Sequence, residues 1–165
     1  MSYAKKERVT VNKTVTCTGN GDTLISIFSL KGIIRIHEIF GVVTEATNTT
    51  VFQKVGLVLY EATPTTVEIT DIGTGVDGSG TVDGSLFIRD AVAGASSPLA
   101  HKEASVCSSL ETQYDGAGYG LVLVQRSGVP TNVKVEFTGD ADTDVDVCFY
   151  ATYTPLSSGS ALTAV

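Results

Sequence analysis

Four aspartates at alternate positions, Asp140, Asp142, Asp144 and Asp146, form the densest set of potential metal ligands in the chain. In an extended segment they share one face, where like charges repel unless a cation or a basic partner neutralises them. A calcium loop of the EF-hand type counted from Asp140 requires glycine at 145 and glutamate at 151, but Val145 and Ala151 occupy those positions. The run is better read as a hydrated turn entering a strand, its charges discouraging unwanted pairing along a sheet edge. Asp71, Asp77 and Asp83 recur at intervals of six among glycines, but one incomplete copy of a calcium-binding repeat cannot build a β-helix. The same glycines lack the G-K-[ST] ending and the following helix of a phosphate loop. The two histidines are His37, inside an apolar run, and His101, in an irregular stretch, and no G-x-S-x-G, H-E-x-x-H or C-x-x-C accompanies them. Catalytic residues, cofactor and metal are therefore all assigned as none. Cys17, Cys107 and Cys148 are odd in number, far apart and set beside Val or Thr, and they read as small buried apolar residues.

The elements that must position these residues are strands. With 165 residues the chain has the length of one domain, enough to bury about 70% of its unfolded surface without disulfides. Only 18% of the residues are charged, against about 25% in an average globular protein, which excludes a disordered chain. The count of 22 Thr, 21 Val and 17 Gly with no Trp favours β-structure and turns over helix. Val9, Val11, Val15 and Cys17 alternate with Thr10, Thr14, Thr16 and Thr18, the pattern of a half-buried strand. After the Gly19 to Asp22 turn, strands are expected over 24–30, 33–44, 51–60, 66–72 and 85–89, then over 121–126, 133–138 and 145–153. The run from Ile33 to Thr44 reads as a central strand covered on both sides, with Ile34, Ile36, Phe40 and Val42 on one face and Ile33, Ile39 and Val43 on the other. Residues 73–84 read as an exposed glycine-rich excursion, and 91–110 permit one short helix without demanding it. The expected fold is all-β, an antiparallel jelly-roll-like sandwich or barrel of about 8–10 strands with an extended N-terminal arm. The division is an arm at 1–8, one domain at 9–153 and an uncharged, irregular tail at 154–165.

Charge is unevenly placed. The net charge is -7, which argues against a general binder of nucleic acid or anionic membrane. Residues 1–13 nonetheless carry Lys5, Lys6, Arg8 and Lys13 against Glu7 alone, a basic start on an acidic body that is able to dock on an acidic partner. The opening MSYAKKERVT lacks the apolar core of a signal peptide, and no apolar run approaches the roughly 18 residues of a membrane helix. Synthesis in a reducing compartment is expected, so the sequons at Asn12 and Asn48 carry no weight.

The basic arm, the Val/Thr/Gly-rich body and the closing stretch Val145-Asp-Val-Cys-Phe-Tyr-Ala-Thr-Tyr-Thr-Pro-Leu-Ser-Ser-Gly-Ser-Ala-Leu162 together resemble small virion proteins of tailed bacteriophages. The resemblance is to capsid decoration, or cement, proteins, whose chains end in an alternating strand that runs into an aromatic-x-Pro-Leu-Ser segment. It implies a non-enzymatic homotrimer on the outer capsid surface of the virion, made in the host cytoplasm and clamping neighbouring copies of the major capsid protein. It also implies no direct contact with nucleic acid or membrane, and an arm that docks on the coat through Tyr3, Lys5, Lys6 and Arg8. The surface for trimerisation is expected along Ile33 to Thr44 and the tail from Leu156 to Val165. The alternative is a tail-fibre or spike module that binds host-surface glycans, with Tyr114 and Tyr119 as its aromatic platforms.

Overall fold

A computed structural model describes residues 7–19, 21–46, 52–61, 66–68, 81–89, 99–102, 121–139 and 144–165. These residues form eleven strands and no helix. One sheet has six strands. Its path runs from β1 (Val9–Thr18) through β10 (Asp144–Pro155) and β3 (Ile33–Ala46) to β6 (Leu86–Arg89) and β7 (Leu99–Lys102). The long β3 also pairs, at its start, with β8 (Leu121–Val124). The second sheet has five strands, in the order β11 (Ala161–Ala164), β2 (Gly21–Lys31), β9 (Thr131–Gly139), β4 (Phe52–Glu61) and β5 (Thr66–Glu68). Every pairing is antiparallel. Among the described residues the sheets face each other across one core and do not close into a barrel.

Alternation explains most of this. Along β9 every second residue is buried from Thr131 to Gly139, which is what a strand with one core face and one wet face produces. Phe28, Phe87, Phe137 and Phe149 are fully enclosed between the sheets, with Ile27, Leu30, Ile34 and Val43. Cys17 is part of this cluster. Cys148 is also buried and, like Cys17, free, as expected of both, while Cys107 lies outside the described residues.

Three differences from the sequence reading have physical causes. First, β3 does not keep one alternation. The register between β10 and β3 slips between Thr152 and Tyr153, where one strand carries an extra residue, His37. A bulge of this kind reverses the phase of all that follows. Ile34, Ile36, Ile39 and Val43 therefore face the core together, whereas Ile33 is exposed and Phe40 and Val42 are only half-buried. Second, the tail is not irregular. Residues 161–164 form β11 on the edge of β2, and Leu162 is buried in the core. Third, Leu99–Lys102 is a strand, in a stretch whose composition permitted a helix.

The loop between β2 and β3 locks the tail in place. Gly32 has φ of +71°, and a Cβ there would press on Ser160, lying 3.1 Å from its Cβ. The Ser160 hydroxyl accepts a hydrogen bond from the Ile33 amide at 2.9 Å and also bonds to Ser157. Glycine is the residue that tolerates both the positive φ and the close approach.

Candidate binding surfaces

Residues 7 and 8 lead into an edge. Arg8 is exposed immediately before β1, while Tyr3, Lys5 and Lys6 lie outside the described residues. Among the described residues β1 pairs only with β10, so one side of a ten-residue strand offers main-chain donors and acceptors outward. Thr10, Asn12, Thr14, Thr16 and Thr18 are exposed on the outer face. On the inner face, between Val11 and Val15, stands Lys13, half-buried and directly opposite Phe149. A lysine at an inward position of an edge strand must keep its ammonium in water, and it obstructs casual pairing with another sheet. In the sequence Lys13 stands among the basic residues of the start, and its inward place on an edge strand follows from the pairing of β1 with β10.

The outer face of the six-stranded sheet is divided along the strands. At one end Arg35 on β3 lies opposite Thr154 on β10 and opposite Val122 on β8. His37, on the bulge, shares a 2.8 Å hydrogen bond between its Nε2 and the Thr154 hydroxyl. Ile33, Val122, Val124 and Leu156 are all exposed here, with Val124 at 47%. In the middle, Phe40 and Tyr150 stack with ring centroids 5.1 Å apart. At the far end Glu45, Asp144 and Asp146 line, with Thr16, a shallow depression of about 180 Å³. Asp83 sits near them and accepts a 2.7 Å hydrogen bond from the Ala46 amide through its Oδ1.

The structure thus places two of the four run aspartates, Asp144 and Asp146, on this outer face, while Asp140 and Asp142 lie outside the described residues. Among the described residues no three His, Cys, Asp or Glu side chains converge on a metal position. Asp71, Asp77, Tyr114 and Tyr119 also fall outside the described residues, and of His101 only the backbone is described. The Cys17 thiol is pushed up to about 12, first by burial and then by Asp146, so at neutral pH it is protonated and a poor nucleophile.

His37 is held below its ordinary value, first by desolvation and then by the charges of Arg8 and Arg35; Glu38 is the acidic neighbour on its own strand. The unfolded chain therefore binds this proton more readily than the folded one. The stabilisation is complete above about pH 6.5 and is lost as the pH falls through the folded value. Thermal melting at pH 7.5 and pH 5.5 should show a smaller acid-induced drop in the melting temperature of His37→Gln than in that of the native chain. Equal drops would mean that other groups carry the whole effect.

Comparison with known proteins gives a single result. No protein-family model, curated protein or solved structure matches this chain.

Proposed function

We propose that the chain is a non-enzymatic virion protein that binds the outside of an icosahedral phage capsid and stabilises it as a decoration or cement protein. In this reading the two sheets are a jelly-roll-type sandwich, residues 1–8 are an extended arm, and the functional unit is a homotrimer. One observation carries the reading. The basic start of the chain feeds directly into β1, whose second edge is open among the described residues.

An open edge next to a basic arm is suited to strand addition. Main-chain hydrogen bonds to an extended coat segment give affinity, and alternate side chains give selectivity. Lys13 contributes to that selectivity, because a partner strand with a carboxylate near it is favoured over an apolar one. Ordering an arm costs about 1 to 2 kcal/mol per residue, so one short strand gains little on its own. Three arms on one trimer raise the effective concentration of the second and third once the first is bound.

Deleting residues 2–8 is expected to leave the fold and the oligomer intact, because no described strand includes them. The truncated protein should attach to DNA-filled heads at least tenfold more weakly, with a shallower dependence on salt. Co-sedimentation at two salt concentrations measures both. Unchanged attachment would move docking from the arm to the β body.

The glycan-binding alternative draws on the Phe40–Tyr150 stack, a flat aromatic surface of the kind that sugar rings pack against. Both residues are half-buried, which leaves a smaller platform than an exposed pair.

A further inference from the structure

The two ends of the outer face of the six-stranded sheet are complementary in charge and too far apart to serve each other. Arg35 and Glu45 are separated by ten residues of β3, about 30 Å of extended chain. That is several times the screening length of about 8 Å at physiological ionic strength. Arg35 lies on one end beside the exposed apolar group of Ile33, Val122, Val124 and Leu156. The other end presents Glu45, Asp144 and Asp146 around an open depression. Contiguous exposed apolar side chains next to charge mark an interaction surface more often than scattered single residues do.

We propose that the basic, apolar end of this face seats against the acidic end of the same face in a second copy of the chain. The occupant is chosen by complementarity. The body of the chain beyond residue 13 is strongly acidic, and three of its carboxylates, Glu45, Asp144 and Asp146, stand together at the far end of the sheet that bears Arg35. A guanidinium meeting two or three carboxylates forms directed, charge-assisted hydrogen bonds, while the four apolar side chains lose water against the exposed threonines of the outer face, Thr14, Thr16 and Thr18. Repeated head to tail, with the basic end of each copy on the acidic end of the next, the contact is heterologous. Such contacts close into a ring when the rotation allows, and a ring of three is the closed form that suits the trimeric part of the function proposed above. The inference rests on that part of the reading and not on capsid binding.

Charge reversal tests it by light scattering at micromolar concentration and low salt. The native chain should have a multiple of the monomer mass. Arg35→Glu should be monomeric at the same concentration, as should Asp144→Lys combined with Asp146→Lys. A chain carrying all three reversals should recover the native mass, which a merely structural defect would not do. Val124→Asp, at a position 47% exposed, should also be monomeric, and its melting temperature should stay within a few degrees of the native value. A native chain that is monomeric, or single-end reversals that keep the native mass, would overturn the proposal. Oligomers that survive the reversals but still bind heads would sink this contact and spare the capsid reading. Reversal-sensitive oligomers that ignore heads would do the opposite.

Discussion

Replacing Phe149 by alanine is expected to lower the unfolding free energy by about 3 to 5 kcal/mol, the usual cost of deleting a buried ring. Phe149 is 1% exposed, near the middle of β10, the strand that joins β1 to β3. Its ring lies over Gly41 of β3, where an added Cβ would be 2.8 Å from Phe149 Cε1 and 2.9 Å from Val147 Cγ1. The absence of a side chain at 41 is what admits the aromatic one at 149. The cavity left by Phe149→Ala therefore has little from which to refill, since its floor is backbone. Gly41→Ala should err in the other direction, overpacking the same contact at about 1 to 3 kcal/mol. Denaturant unfolding with an unchanged slope gives both values. A loss below about 1 kcal/mol for Phe149→Ala would mean that the ring is not enclosed as described.

Deleting residues 157–165 should cost about 3 kcal/mol or more, although the sequence of this tail reads as uncharged and irregular. The deletion removes Leu162, 2% exposed, whose burial alone accounts for about 1.5 to 3 kcal/mol. It strips the Ile33 amide of the Ser160 hydroxyl, at about 1 to 3 kcal/mol for a partly buried donor left without its partner. It also takes away the bond from the Val165 amide to the Ile27 carbonyl and the partner of the Tyr153 hydroxyl, the Leu162 carbonyl. The same truncation bares Leu30, which faces Leu162 across the pair of strands. A deletion variant that melts within a degree or two of the native chain would show that β11 contributes little.

The strands were legible in the sequence wherever one face is wet, as in β1, β9 and β10, because period-two burial writes itself into the alternation of Val and Thr. Legibility failed where something non-local intervened. The phase of β3 turns on a bulge at His37, which arises from pairing with β10 more than a hundred residues away, and no local pattern announces it. The apolar tail carries one core residue, Leu162, in a stretch of serine and alanine that is too short to show a period. Lys13 was visible as a charge and invisible as an edge device, because its meaning depends on β1 standing at the edge of its sheet among the described residues. For the candidate surfaces the sequence offered the basic arm and the acidic run. It did not place Arg35 beside Val122 and Val124, since that neighbourhood is made by the pairing of β3 with β8.

The central claim is attachment to a capsid, and one binding measurement addresses it most directly. Purified protein is incubated in parallel with DNA-filled icosahedral heads assembled without it and with intact host cells, then sedimented and quantified. Saturable recovery with the heads and none with the cells is the result the account predicts. Recovery with the cells, competed by soluble glycans and absent from the heads, would contradict it and make the protein a host-recognition module.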